Sequence, residues 1–264
     1  MQYIEEDPNP YVVVAPSYFI YSLDYSTVLQ EHIESKADVT VLYTNTSEAK
    51  EQFLGCDTLT MDKDKRITSI DNNRGKRKTA SVSLEAYVLS KELFIELVKK
   101  AAETSSLYWF RDILADSLEE LDVQGYGIKG FVGCINSLSE YFRISLALRD
   151  PSVAKGLFKT GWPVYTQTND SSPTTYAEGS DVKGSVVANG CVIEGTVSDS
   201  VISRNVTIRE GAVVKDSIIL PGAYIGERAK LDHVVVDKYA IIHHVKELKG
   251  TDEEPVYVKR RDRI

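Results

Sequence analysis

The sequence predicts two architectures in one chain: an α/β domain with a mixed or parallel sheet over residues 1–150, and a parallel β-helix over residues 176–264. Three observations carry this. Strand-like and helix-like segments alternate through the first half. Helical periodicity then stops at a linker, residues 151–175, which is rich in Pro, Thr and Ser from Trp162 to Thr175. Beyond it, short β-branched clusters recur on a step of six residues.

In order along the α/β half, Tyr11 to Ala15 (YVVVA) reads as a buried strand that turns through Pro16-Ser17. Ser26 to Ser35 reads as a helix with Ser26 as its N-cap. Asp38 to Tyr43 is a second strand. Thr58 to Ile70 carries a hairpin signal around Asp62-Lys63-Asp64-Lys65. Ser83 to Leu89 is a strand, and Ser90 caps a helix to Thr104 whose apolar face is Leu93, Ile95, Leu97, Val98 and Ala101. Leu107 to Glu120 reads as helical, Gln124 to Gly133 as extended, and Ser137 to Leu148 as a helix stopping before Asp150-Pro151.

In the second half, Val201, Thr207, Val213, Ile219, Ile225 and Leu231 form one column on a step of six, with the β-branched residues expected to point inward. Val206, Ala212 and Ile218 form another. Gly, Asn and Asp fall between the clusters, as in Asn189-Gly190 and Pro221-Gly222, where a chain must turn. Three sides of a triangular coil take about 18 residues, which allows roughly four coils over residues 176–246. An antiparallel sandwich would need longer strands with period-two alternation, which the sequence lacks.

Composition narrows the function classes. The chain has 264 residues, 42% of them hydrophobic and 27% charged, as in a globular protein. Its net charge of −8 argues against general nucleic-acid binding. It has no apolar run long enough to cross a membrane, and MQYIEEDPNPY does not resemble a signal peptide. Cys56, Cys134 and Cys191 are too widely spaced for a metal motif, and their odd number suits free thiols in a reducing cytoplasm.

The local wording goes further. FIYSLDY at Phe19–Tyr25, with Lys36 to Val41, resembles the HIYKMDY…GADVTI region of ADP-glucose pyrophosphorylases. Asp62 to Thr68 resembles their DENGRIT-like turn. Val192 to Val197 and Asp216 to Pro221 resemble their VIxGTV and DSVIMP β-helix wording. The likeness runs over almost the whole chain and is to the glucose-1-phosphate adenylyltransferase family. It implies a partial nucleotidyltransferase domain, Rossmann-like and of GT-A type, before a left-handed β-helix of hexapeptide repeats. No segment here matches the family's GGxGxRL-type loop, and residue 1 resembles a position well inside its catalytic domain, so a missing first strand is an expectation.

The resemblance also implies degenerate site positions. Tyr18 stands where the family holds its first metal-site Asp, and Cys134 where a WxDVGT-like motif holds the second. A phenol or thiol is a poor ligand for hard Mg²⁺. Asp71-Asn72-Asn73-Arg74 stands at the sugar-contacting Glu-Lys-Pro element, so the lysine is lost and Asn72 and Asn73 are degenerate positions. Glu85 stands where an SMGIYVF-like strand uses Gly. Asp112 matches the Asp of a DFGKDI-like motif and survives.

Those losses resemble the non-catalytic regulatory subunit that some Gram-positive bacteria pair with a catalytic adenylyltransferase. The implied role is cytoplasmic: a modulator of glycogen synthesis in a heterotetramer with that catalytic subunit, with no cofactor of its own and Mg²⁺ held by the partner. Two alternatives stand beside it. One is an active sugar-phosphate nucleotidyltransferase using Asp24 and Asp112, and the other is a β-helix scaffold. His233, His243 and His244 fit structural or surface roles better than an acyltransferase base. The runs Arg74-Gly75-Lys76-Arg77-Lys78 and Lys259 to Arg263 fit either solvated segments or anion contacts. Tyr11, Tyr18, Tyr21 and Tyr25 could fill a vacated nucleotide cleft or serve as ordinary core and surface residues.

Overall fold

The computed structural model describes residues 2–159, 161–166, 168 and 170–264. Thr160, Gln167 and Asn169, all in the expected linker, lie outside the described residues, as does Met1. By internal contacts the chain divides into Met1–Val132 and Gly133–Ile264.

The first unit runs α1 (Gln2–Glu6), β1 (Tyr11–Val14), β2 (Phe19–Tyr21), α2 (Tyr25–Ser35), β3 (Val39–Thr46), β4 (Asp57–Met61), β5 (Ile67–Asn72), β6 (Ala80–Ser90), α3 (Lys91–Thr104), α4 (Phe110–Asp116) and β7 (Val123–Gly127). Its mixed sheet has the order β5-β4-β6-β3-β7, and β1 adds to β6. β3 runs antiparallel to β6 and parallel to β7, while β4 and β5 form the expected hairpin. Val39, Val41, Leu59, Ile67, Leu89 and Val123 bury one sheet face together with Leu97 and Ala101 of α3 and Ile113 and Leu114 of α4. The buried ring of His32 on α2 meets Thr40 Oγ1 of β3 at 2.9 Å.

Several local expectations are corrected. β1 is not buried: it is joined only to β6, and Val13 is 45% exposed. Alternation with polar neighbours is weak in a strand of four residues, so its apolar run does not report burial. α2 is capped by Asp24, whose carboxylate accepts the Ser26 N–H at 2.9 Å, so Ser26 lies inside the helix. α4 is shorter than the helical reading because Asp112 accepts from the Trp109 N–H at 2.9 Å and fixes its start there. The extended stretch after residue 123 breaks into β7 and β8 (Val132–Cys134), with Gly130 between them at φ +112°.

The second unit carries α5 (Leu138–Ala147), α6 (Pro151–Leu157) and the strands β9 (Thr175–Tyr176) to β23 (Val256–Val258), arranged in three five-stranded parallel sheets. This is the expected β-helix, with about four coils. Thr207 lies over Val192, fifteen residues on, Tyr224 over Thr207, seventeen on, and Ile241 over Tyr224, seventeen on. Most coils therefore take seventeen residues rather than eighteen, and one takes fifteen.

That difference corrects the inward column. The residues sealed inside are Ile202, Ile208, Val214, Ile219, Ile225 and Leu231, none more than 1% exposed. One side of each seventeen-residue coil takes five residues instead of six, as from Val214 to Ile219. A strict step of six therefore crosses from the outer column to the inner one. Val201 and Val213 face outward, and Val213 is 39% exposed. Ile218 also faces outward, where it is buried with Val235 against Phe142 of α5.

The corners explain the spacing of small polar residues. Gly184, Asp199, Asp216 and His233 stack in one column, and all have positive φ. Glycine and Asp tolerate that left-handed turn, whereas His233 enters it at a cost. Beside them runs a hydroxyl ladder. Ser217 N–H donates to Ser200 Oγ at 3.0 Å, and Val234 N–H donates to Ser217 Oγ at 3.1 Å. Each hydroxyl also donates to a backbone carbonyl, so both fully buried serines are satisfied.

Candidate functional site

In the first unit, polar side chains converge on Arg111 of α4. Its guanidinium donates to both carboxylate oxygens of Asp57, at 2.9 and 3.1 Å, and to Asp112 Oδ1 at 3.4 Å. Asp57 opens β4 and is only 4% exposed. Burial pushes its carboxyl pKa up, against the opposing pull of Arg111. Burial likewise raises the Tyr87 hydroxyl, with Glu85 and Asp57 adding negative potential. Glu85 lies within electrostatic reach of Asp57, Tyr87 and Arg111. One guanidinium thus pairs with two carboxylates, with the charge of a third, Glu85, nearby.

Glu85 has an unusual backbone. Its φ is +49° in the middle of β6, beside a register shift between Val41 and Tyr43 of β3. A left-handed residue inside a strand is a glycine conformation. The side chain differs from the Gly that the resemblance implies, while the conformation is the one glycine favours. The structure therefore brings two expected site residues, Glu85 and Asp112, to one cluster.

Asn72 and Asn73 do something else. Asn73 is buried, and its Nδ2 donates to the carbonyls of Ala49 and Phe53 at 2.9 Å and of Gln52 at 3.2 Å. Its Oδ1 accepts the Gly75 N–H at 3.1 Å. Asn72 donates to the Gly55 carbonyl at 2.7 Å. Both amides fasten the 48–55 segment to the end of β5.

The tyrosines near the first expected metal position form separate pairs. Tyr18 packs its ring on Phe19 at 5.0 Å, Tyr11 meets His32 edge-on at 5.6 Å, and the hydroxyls of Tyr21 and Tyr25 are 2.5 Å apart. Burial raises the pKa of Tyr21, so that hydroxyl stays protonated. Asp24 is a helix cap, and hydrogen bonds from Ser26 hold its carboxyl below the usual range. In the second unit Cys134 is a buried thiol. Neither Tyr18 nor Cys134 offers the oxygen anion that a hard divalent cation requires, so the residues present do not fit Mg²⁺.

Among the described residues, one group of three metal-ligand types meets: Asp216, Asp232 and His233, at a β-helix corner. His233 Nδ1 lies 2.7 Å from Asp232 Oδ1, and Lys215 and Lys249 neutralise the two aspartates. His243 and His244 are exposed at the last coils. No helix among the described residues is long and apolar enough to cross a membrane.

Sequence reasoning missed Asp57 and the pairing role of Arg111. The available signal was a carboxylate between Cys56 and Leu59, where a buried strand begins. A charge there needs a partner.

Comparison with known proteins places the chain in a class. Residues 1–146 match the family described as Nucleotidyl transferase, and the chain belongs to that family. Residues 173–255 match the GlmU-like, C-terminal hexapeptide family. More particularly, the chain is similar to glucose-1-phosphate adenylyltransferases. That of Thiobacillus denitrificans is 30% identical over 253 residues, covering 88% of this chain and 57% of the relative. That of Fervidobacterium nodosum is 27% identical, covering 92% and 58%. That of Bacillus cereus is 25% identical, covering 92% and 65%. The chain thus spans less than two thirds of the length of these relatives.

Proposed function

We propose that this chain is a non-catalytic, regulatory subunit of an ADP-glucose pyrophosphorylase, modulating a catalytic partner that makes ADP-glucose and pyrophosphate from ATP and glucose 1-phosphate. The observation that carries the reading is the cluster at Arg111. Glu85 and Asp112 stand at positions that the resemblance assigns to the sugar site; Asp112 and Asp57 are ion-paired with Arg111, and Glu85 adds negative potential beside them. A sugar phosphate entering there would meet three carboxylates and one already paired cation. Such a site repels its substrate.

Three further points support the reading. The positions matched to metal acids carry Tyr18 and Cys134, which fit no hard cation. Asn73, in the segment matched to the sugar-contacting element, is turned into the protein to hold carbonyl groups. The β-helix keeps its core intact, as a subunit retained for assembly requires.

The test is ADP-glucose formation from ATP, glucose 1-phosphate and Mg²⁺, run with this chain alone, a catalytic adenylyltransferase alone, and the two together. The expected result is no turnover alone and a changed rate in the mixture. Turnover by this chain alone would overturn the proposal. Silence with an unchanged partner rate would leave the β-helix scaffold as the better account.

A further inference from the structure

One corner of the β-helix gathers nitrogen and oxygen donors that pairing within the fold does not account for. Asp216, Asp232 and His233 each bring one donor atom within 4.8 Å of the others. The coil repeat places them there. Asp216 and His233 occupy the same left-handed corner on successive coils. Asp232, one residue earlier, lies in register between Lys215 and Lys249.

The His233 ring is held on three sides. Nδ1 lies 2.7 Å from Asp232 Oδ1, Nε2 lies 3.4 Å from Asp252 Oδ1, and the Phe142 ring of α5 packs at a centroid distance of 5.9 Å. Asp252 belongs to a turn tied to the same corner. Gly250 N–H donates to the Asp232 carbonyl at 2.8 Å, and Val256 N–H donates to the His233 carbonyl at 3.0 Å. Both ring nitrogens therefore face a carboxylate. A neutral imidazole has only one proton and one lone pair to offer them. One nitrogen then turns its lone pair on an anion unless a cation stands between. Lys215 reaches Asp216 at 3.5 Å and Lys249 reaches Asp232 at 3.9 Å, but both lysines are exposed, and such contacts contribute little.

We propose that Asp216, Asp232 and Nδ1 of His233 bind one divalent cation of the zinc class, with Nε2–H donating to Asp252. One nitrogen and two carboxylate oxygens suit Zn²⁺ and leave a fourth, tetrahedral position to water, whereas Mg²⁺ favours an all-oxygen octahedron. Binding opens the 2.7 Å Asp232–His233 contact to about 3.3 Å, the spacing of two ligands about 2.1 Å from a tetrahedral ion. The carboxylate behind the other nitrogen fixes the tautomer and orients the ring. Because the ligands come from two successive coils, the ion staples one coil to the next. The ligands all belong to the second unit, and binding there does not rest on the proposed regulatory role.

The test is titration calorimetry of the EDTA-treated full chain with Zn²⁺, alongside visible absorption with Co²⁺. The expected result is one Zn²⁺ per chain, tetrahedral-type Co²⁺ bands that Zn²⁺ displaces, and no displacement by about a hundredfold excess of Mg²⁺. Asp216→Asn and His233→Asn should each weaken Zn²⁺ binding about tenfold or more. Asn tolerates the left-handed corner, so the metal-free midpoints of both variants should stay near that of the parent, which separates lost ligation from lost folding. His243 and His244 are exposed neighbours that could capture zinc adventitiously, and replacing both by Asn should leave binding unchanged. Saturating Zn²⁺ should raise the unfolding midpoint of the second unit in the parent and not in Asp216→Asn. Undiminished affinity in either single variant, or loss of binding in H243N/H244N, would overturn the proposal. So would absence of Zn²⁺ binding, in which case His233 carries both protons and pairs with Asp232 and Asp252 as an imidazolium.

Discussion

The β-helix and the α/β unit are built on opposite terms. In the β-helix the same problem is solved once per coil: Ile208, Ile225 and Ile242 fill one interior column, and Ser200 and Ser217 fill one corner. In the α/β unit each contact is made once. Arg111 has no repeat elsewhere to reveal it, and neither has Asp57 or the left-handed Glu85. Redundancy makes a fold legible and leaves it uninformative about chemistry. Singular contacts hold the chemical evidence, and nothing in the pattern of the sequence marks them.

The sharpest way to break this contrast is in the stack itself. Ile225 is sealed between coils with no exposure. Ile225→Ala should cost about 3–4 kcal/mol, the transfer loss plus an unrelaxed cavity. Each coil contacts mainly its neighbours, so the effect should fall on the unfolding of the second unit while the first keeps its midpoint. Urea unfolding followed by probes in each unit measures this. Equal shifts in both would mean that the two units unfold as one.

A singular contact should show a different signature. Arg111→Ala strips the buried Asp57 carboxylate of its cation and should destabilise the first unit by about 2 kcal/mol, below the figure for fully buried pairs because Arg111 itself is 39% exposed. Adding Asp57→Asn in the same chain should recover most of that loss, because no buried charge then remains. A double variant as unstable as R111A would show that Arg111 acts through packing instead.

The pH dependence of the first unit should single out His32. Burial lowers its pKa below the ordinary 6.5, so the folded ring resists protonation while the unfolded one accepts it. Stability from the neutral ring is complete above pH 6.5 and is lost as the pH falls from there toward the lower folded value. Denaturant midpoints between pH 7.5 and 5.5 should fall in the parent and fall less in His32→Gln. Identical slopes would assign the loss to another group.

Legibility in the sequence followed these terms. The hairpin at Asp62-Lys63-Asp64-Lys65 and the cap at Ser90 are short-range devices, and each lies where the sequence reading puts it. The inward column of the β-helix was read with a shift, since periodicity gives the step but not the five-residue side that changes the phase. Asp57 pairs with Arg111 across 54 residues. No local pattern reports a partner that distant. Asn73 carried a functional expectation, yet its role is to satisfy three carbonyls from a loop some twenty residues earlier.

Glu85 offers the smallest and most discriminating test, because it reads a sign as well as a size. In an ordinary strand, replacing Ala by Gly destabilises, since glycine has more freedom to lose and no side chain to pack. At φ +49° the order should reverse: any Cβ-bearing residue suffers about 1–2 kcal/mol of left-handed strain that glycine escapes. Glu85→Ala and Glu85→Gly both remove the carboxylate near Arg111, so their difference isolates the backbone. The glycine variant should be more stable than the alanine variant by about 1 kcal/mol in chemical denaturation. That order would mean that β6 retains a bend suited to glycine while carrying a charged residue there, as expected if a site built for close backbone approach has been closed by a side chain. The reverse order would mean that the bend follows from Glu85 itself, and the position would no longer bear on what this domain has lost.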